Sequence, residues 1–486
     1  MGTPVARLWT EMMPPRGYWP RVSQEELLAL SDIAVRRVMN QQGTRAGRRY
    51  GWLMISTILI EAWDLWAISF LLVFIKNEFH PSAFLVGLTA AAVNAGALLG
   101  SLCGGWVADK LGRRRVFLTT MVLFMVLAFA QGFATNMWDL VLLRFLLGFP
   151  LGSDIACGYA YIMEAMPRGK REVMGNRWQA MFGIGEIAAI AAVTIMYVAG
   201  VDEQLLWRIG LALGAIPAMT LLLVRLNLPD TAMSLIQRGR FREAKAVSMR
   251  MFGDPLEMLP NQDFPIKRPS TRDFLRNIWA DPVRKRATIF AWISNGAQGA
   301  EFAAFGFYLP VILVLTGVSG IAQTNFVTGA IYIVAVVSGF VGPAITPWIG
   351  HRGIAQWGFG IAFVSLLAAA AFLALDWKIL VPIAAAALMW GHYWDASNGM
   401  TITAMIAPSR YKATATGFGY IFCKLAGFVT LLVFPVMFAA IGVPLATVVV
   451  SLISLTGFLA ARYVLPEVYG YVEQEEGRFP LSAASA

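Results

Sequence analysis

A few ionisable and amide side chains stand in stretches of this chain that are otherwise apolar. They are Glu61 and Asp64, Arg144 and Asp154, Gln179 and Glu186, Gln298 and Glu301, Asp395, and Lys424. Placing an ion at mid-bilayer costs roughly 2.5–3.5 kcal/mol on insertion scales, so each charge must be offset by a partner or a use. Three uses fit these residue types. A buried carboxylate can take and release a proton, because desolvation and a neighbouring guanidinium pull its proton affinity in opposite directions. An acid and a base can lock as an ion pair. Amides, acids and an ammonium around a cavity can bind a polar solute. Gln179 and Glu186 are seven residues apart, close to two helical turns, so they project from one face. His392 and Asp395 stand at i, i+3 and can meet, and a histidine titrates near pH ~6.5, which suits proton traffic. Asp154 lies ten residues past Arg144, about 15 Å along a helix, too far to be its first partner. Lys424 stands about 10 Å into its helix counted from Gly417, too deep to snorkel easily.

The missing motifs narrow the chemistry further. There is no H-E-x-x-H, no G-x-S-x-G and no P-loop, so an enzyme is not expected. Cys103, Cys157 and Cys423 lie in apolar stretches without disulfide or zinc spacing. Neither a metal nor another cofactor is expected.

These residues need a framework, and composition names its solvent. The 486 residues are 58% hydrophobic and 14% charged, against about 25% charged in soluble domains. Such a chain cannot cover a water-facing surface, and it is expected to live mostly in lipid. A spanning helix needs about 20 apolar residues. Twelve such stretches follow one another, at about 52–75, 84–107, 115–134, 138–162, 178–199, 206–226, 287–314, 322–346, 355–375, 379–404, 413–438 and 440–463; they are numbered spans 1 to 12. The expected architecture is an all-α membrane protein of two pseudo-symmetric six-helix bundles, 52–226 and 287–463. A tail over 1–51, a linker over 227–286 and a tail over 464–486 complete it. The linker is expected to hold short amphipathic helices, for example from Met233 to Met251. The polar, Arg-rich first 50 residues hold no signal-peptide core, so span 1 is expected to serve as its own insertion signal.

The net charge of +10 could point to nucleic acid, but no nucleic-acid motif is present. Its distribution gives another reading. The N-terminal tail, the Lys110–Arg115 and Arg168–Arg177 loops, the linker, including Lys267 and Arg268, and the loops at His351–Arg352 and Arg410–Lys412 are basic. The alternate loops are nearly bare, Lys76 and Lys378 excepted. This is the positive-inside pattern, with both termini expected in the cytoplasm of a bacterial inner (plasma) membrane. Anionic lipid is the expected by-product partner.

The halves repeat. Met166-Pro167-Arg168-Gly169-Lys170-Arg171 follows span 4, and Ala407-Pro408-Ser409-Arg410-Tyr411-Lys412 follows span 10. Between spans 2 and 3, Gly105-Trp106-Val107-Ala108-Asp109-Lys110-Leu111-Gly112-Arg113-Arg114-Arg115 matches the G-x-x-x-D-[RK]-x-G-[RK]-[RK] signature. On these residues the chain resembles the major facilitator superfamily. The second-half copy, Trp348-Ile349-Gly350-His351-Arg352-Gly353, lacks the Asp. A closer resemblance is to the sugar-porter-like branch. It rests on Leu228-Pro229-Asp230-Thr231-Ala232-Met233 with Arg238-Gly239-Arg240 and Glu243-Ala244, on Leu465-Pro466-Glu467, and on Arg144-Phe145-Leu146-Leu147-Gly148 with Glu164, Pro167 and Arg171.

The resemblance implies roles. A cytoplasmic gate would use Asp109, Gly112, Arg113, Arg114, Glu164, Arg171 and Arg410. Glu61-Ala62-Trp63-Asp64 is similar to the acidic pair of aromatic-acid and phosphate symporters and to the Tyr-Asp of proton-linked sugar porters. In the latter the Asp pairs with the span 4 Arg, so Asp64 and Arg144 are the expected coupling pair, with Glu61 beside it. Asp154 is expected as a second proton site or cavity acid. Gln179, Glu186, Gln298, Glu301, Tyr308, Asp395 and Lys424 are the expected substrate contacts, Lys424 meeting an anion or pairing with Glu301 or Asp395. Lys424 is shared with phosphate-symporter and vesicle-glycoprotein branches; Glu186, Ala303 and Met405 depart from the sugar-porter pattern. The resulting expectation is a monomeric, proton-coupled carrier of a small polar metabolite, an organic anion ahead of a sugar or polyol. An organic-cation exporter and a non-transporting sensor are the further alternatives.

Overall fold

The computed structural model describes residues 23–471, save 42, 168, 267–270 and 319. Arg168, Lys267 and Arg268, and the outer parts of both tails, lie outside the described residues. Among the described residues, nine apolar helices are long enough to cross a membrane: Arg45–Phe79, Phe84–Leu111, Arg113–Gln131, Met137–Ala165, Arg171–Val198, Glu203–Arg225, Pro282–Leu315, Ile321–Ala374 and Ser409–Tyr463. Two of them turn back on themselves, at Gly350 (φ 74°) and Gly442 (φ 77°), so each holds two spans. Val381–Ile406 is span 10; its polar middle lowers its hydropathy below that of the others. The count is therefore twelve, six on each side of the linker. Many large apolar side chains face outward, among them Phe129, Phe133, Trp138, Ile195, Phe326, Ile333 and Val436. They present the belt that lipid covers.

Small residues set the helix spacing inside each half. Gly96, Gly100 and Gly104 recur every four residues on span 2. A Cβ there would lie 1.9, 2.0 and 2.3 Å from Phe145, Phe149 and Ser153 of span 4, and Gly148 and Gly152 return the contact. This is a small-xxx-small seam, in which missing side chains let two backbones touch. Span 7 departs from a regular helix. A π turn over Phe302–Gly306 follows Glu301, and Pro310 interrupts the helix beyond it. Such bulges often mark functional positions, and this one borders the central cavity.

On the basic face, helices Gln24–Met39, Ala232–Gln237, Phe241–Phe252 and Thr271–Ala280 form an outer layer. The linker does not run as one helix from Met233 to Met251. It breaks at Gly239 (φ 72°), where a Cβ would strike the Phe264 carbonyl at 1.6 Å. The Phe264 amide donates to the Gly239 carbonyl at 3.0 Å, pinning the later linker against this turn. Ion pairs tie the layer together, including Arg37–Asp254 and Arg410–Asp32, both at 2.6 Å.

Candidate functional site

A cavity of about 80 Å³ lies between the two halves. Glu61, Asn94, Tyr159, Trp178, Gln179 and Phe182 line it from the N-terminal half. Gln298, Phe302, His392, Tyr420, Cys423 and Lys424 line it from the other. The key contact joins the halves. Lys424 Nζ donates to Glu61 Oε1 at 2.5 Å, and the Tyr420 hydroxyl donates to the same oxygen at 2.7 Å. The ammonium also sits 4.8 Å from the Tyr420 ring centre. Lys424 therefore pairs with Glu61 and not with Glu301 or Asp395, because span 11 turns its ammonium toward span 1. Gln298 donates to Cys423 Sγ at 3.0 Å.

Asp64 and Arg144 meet deeper in the N-terminal half, at 3.3 Å and almost fully buried. Gln131 stands between them. Its amide donates to Asp64 Oδ1 at 3.2 Å, and its carbonyl oxygen accepts from Arg144 Nη1 at 3.3 Å. Arg144 Nε is held by the Thr89 carbonyl at 3.0 Å. Gln131 escaped the sequence reading; its only signal was a lone amide ending an apolar span.

Five expected residues sit elsewhere. Asp154 is neither at the cavity nor near Asp64 and Arg144: Arg225 of span 6 donates to it at 2.8 and 3.3 Å, with Thr120 at 3.2 Å. Span 4 is long enough to place Arg144 and Asp154 at different depths, and Arg225 was the unseen partner. Glu186 does not line the cavity, because it accepts from Trp66 of its own half and Tyr393 of the other. Glu301 and Asp395 lie behind His392, inside the C-terminal half. The Tyr308 hydroxyl donates to the Leu431 carbonyl at 3.1 Å and is likewise outside the lining.

Of the residues expected at a gate, Asp109, Arg113 and Glu164 form one connected set, while Arg410 pairs with Asp32 of the outer layer. Asp109 accepts from the Ala413 and Thr414 amides at 3.3 and 2.8 Å and from the Thr414 hydroxyl at 2.7 Å. It thus caps the N-terminus of span 11 across the halves, where a carboxylate meets the positive end of the helix dipole. Arg113 binds Asp109 at 2.7 Å and Glu164 at 2.6 Å. Gly112 adopts φ 100°, and a Cβ there would strike Asp230 at 2.1 Å; that Asp230 accepts from the Arg113 amide at 3.1 Å. Arg114 donates to the Leu228 carbonyl at 3.0 Å. Arg171 donates to the Met39 carbonyl at 2.5 Å. In the second half Glu467 supplies the matching acid, accepting from the His351 and Arg352 amides at 3.0 and 3.2 Å beside Gly350. The basic face is the tighter one. A Cβ on Gly105 or Gly417 would lie 2.3 or 2.1 Å from the backbone of the opposite half, whereas towards the other face the nearest atoms to one on Gly87 or Gly329 are the Leu432 and Ile190 side chains, at 3.7 and 3.9 Å.

Two six-helix halves around a central polar cavity, closed on one face by a charged latch, define a secondary transporter of the major facilitator type, whose halves rock to expose the cavity alternately. The chain belongs to the family described as "Sugar (and other) transporter", whose profile matches residues 38–472. It is an integral, multi-pass membrane transporter and not an enzyme. It is 26% identical over 424 residues to the probable metabolite transport protein CsbC of Bacillus subtilis, covering 85% of this chain and 90% of that one. It is 24% identical over 425 residues to the arabinose-proton symporter of the same organism, covering 84% and 89%. The solved structure of the proton:xylose symporter XylE bound to 6-bromo-6-deoxy-D-glucose superposes with a TM-score of 0.71 at 17% identity, covering 87% of this chain and 96% of that one. A partially occluded inward-open form of XylE from E. coli gives 0.70 at 15% identity, covering 87% and 99%.

Proposed function

We propose that this protein is a proton-coupled symporter for a neutral sugar or polyol. The Glu61–Lys424 pair carries the reading. Lys424 is the only lysine or arginine among the described residues lining the cavity, and Glu61 already meets its charge at 2.5 Å. An anion would have to displace that carboxylate, whereas a hydroxylated neutral solute would not. Gln179, Gln298 and Asn94 can donate to and accept from hydroxyls, and Trp178 and Phe182 offer flat apolar faces. The names of the arabinose-proton and xylose-proton relatives support the same class. The organic-anion expectation gives way to its sugar alternative, because the cation on which it rested is occupied. The same pair engages the cavity acid that a cation exporter would use.

Asp64 and Arg144 are the coupling pair in this reading. A proton on Asp64 removes its negative charge and frees the guanidinium to change partners. A potential of 100 mV supplies about 2.3 kcal/mol per charge, roughly fifty-fold accumulation. The basic face is the cytoplasmic one, with both termini there.

The test is a thermal-shift screen of purified protein against D-xylose, L-arabinose, myo-inositol, benzoate and phosphate. A ligand at 100 Kd adds about 2.7 kcal/mol. A neutral sugar or polyol is expected to stabilise the protein and the anions to leave it unchanged; the reverse outcome ends the sugar reading. Asp64→Asn is expected to abolish accumulation of the stabilising solute in proteoliposomes while sparing exchange. Retained accumulation in that variant would remove Asp64 from coupling.

A further inference from the structure

The C-terminal half holds a cluster that this cycle leaves unused. Glu301 on span 7 and His392 and Asp395 on span 10 bring ligand-type atoms within 4.8 Å of one another. All three are almost completely buried, at 1%, 1% and 0% exposure. His392 Nδ1 lies 3.2 Å from Glu301 Oε1 and 3.7 Å from Asp395 Oδ1. The other Glu301 oxygen accepts from Ser454 of span 12. Both Asp395 oxygens are buried without a hydrogen-bond partner among the described residues.

Among the described residues, no permanent cation balances these acids. Span 9 meets Asp395 with the backbone at Gly358, and its ionisable residues, His351 and Arg352, stand at its basic end, His351 bonded to Asn398. Span 12 contributes the Ser454 hydroxyl, with Arg462 and Tyr463 at its far end. Lys424 of span 11 is held by Glu61, the Tyr420 hydroxyl points to Glu61, and Cys423 accepts from Gln298. Tyr393 of span 10 turns to Glu186, Tyr332 of span 8 packs on Trp66, and Tyr308 of span 7 bonds the Leu431 carbonyl. With a neutral imidazole and both acids ionised, the cluster would carry two negative charges in a site where each ion costs roughly 2.5–3.5 kcal/mol. Two protons make it neutral. A metal would need to stand between Glu301 and His392, which touch directly. The His392 ring lines the cavity, while neither acid does.

We propose that Glu301, His392 and Asp395 form a second proton-binding site, separate from Asp64 and Arg144 and filled from the substrate cavity through His392. A hydronium ion in the cavity gives its proton to the imidazole nitrogen away from the acids and leaves water. The Nδ1 proton passes to the carboxylates that face it, Glu301 Oε1 at 3.2 Å and Asp395 Oδ1 at 3.7 Å, and the ring is left neutral with its remaining proton on the other nitrogen. The inference rests on the proton-coupled reading only in that the bound proton is carried; proton binding itself needs no substrate.

The test is a titration of purified full-length protein in weakly buffered detergent, followed with a pH-indicator dye between pH about 5 and about 8. Asp395→Asn and Asp64→Asn are each expected to bind one proton fewer than wild type, and the double variant two fewer. Asp395→Glu, which keeps the carboxylate, is expected to restore the missing proton. If Asp395→Asn titrates like wild type, or Asp395→Glu fails to restore a proton that Asp395→Asn has lost, the proposal is overturned. If only Asp64→Asn is silent, the coupling-pair assignment fails and this one stands. His392→Gln is expected to slow proton uptake after a pH jump by about tenfold or more; uptake at the wild-type rate would remove His392 from the route. Proton release on exchanging choline chloride for sodium chloride would make the cluster a sodium site and overturn it.

Discussion

The two halves of this transporter bury their acids in different company. In the N-terminal half Asp64 faces Arg144, Asp154 faces Arg225, and Glu164 faces Arg113. In the C-terminal half Glu301 and Asp395 face a histidine. Arginine keeps its charge at any physiological pH, whereas histidine gains and loses one near neutrality. These three pairs of the first half change only when an acid takes a proton, and the buried Glu186 of that half meets the Trp66 and Tyr393 donors in place of a cation. The second holds a cluster whose charge changes as a whole.

The basic face repeats the contrast. Each half turns between its second and third spans on a glycine with positive φ, Gly112 or Gly350. Each turn is capped by an acid from just beyond that half's last span, Asp230 or Glu467. Only the first half adds Asp109, which reaches across to span 11. Three residues before Gly350 stands Pro347, which has no carboxylate to offer, and at this end the matching seam between spans 5 and 8 carries a neutral hydrogen bond, Asn176 to Thr346 at 3.3 Å. The latch is one-sided, and so is its expected sensitivity to mutation.

The largest expected effect separates the two kinds of acid. Arg144→Met and Arg225→Met each leave a buried carboxylate alone and are expected to cost about 3–5 kcal/mol. Asp395→Asn strands no cation and is expected to change stability by less than about 1 kcal/mol. Thermal unfolding of the three purified variants checks this, and equal losses would erase the contrast. Next in size is Asp109→Ala. It removes the cap of span 11 at about 0.5–2 kcal/mol and is expected to speed amide exchange over residues 412–417, which hydrogen–deuterium exchange reads directly. Unchanged exchange there would deny Asp109 its latch role. Smallest is Glu467→Gln, which keeps an acceptor oxygen for the His351 amide and is expected to lower stability by under about 1 kcal/mol. A loss matching that of Asp109→Ala would make the latch two-sided.

The legible parts of the site were those with local signatures. Asp109, Gly112 and Arg113 fall within one loop, so they were legible as one signature, and the resemblance it carries implied a gate. Glu61, Asp64, Arg144 and Lys424 were conspicuous as charges in apolar runs. Gln131 and Arg225 were passed over, since a polar residue at the end of a span reads as an ordinary interfacial anchor. Glu301 and Asp395 were placed in the cavity and stand behind it, since a polar span 10 shows that its side chains avoid lipid without showing which inner surface they face.

From its residues alone this chain is a lipid-embedded protein of twelve spans with a charged latch, because span length, charge alternation and turn glycines depend on neighbours in sequence. Which acid meets which base was decided by the tertiary structure. Glu61 and Lys424 are 363 residues apart, and Asp154 and Arg225 are 71 apart. Their meeting depends on how each helix is rotated about its axis. Helices that are apolar nearly all round carry little periodic signal of that rotation, so it is set only when the packed halves bring the faces together.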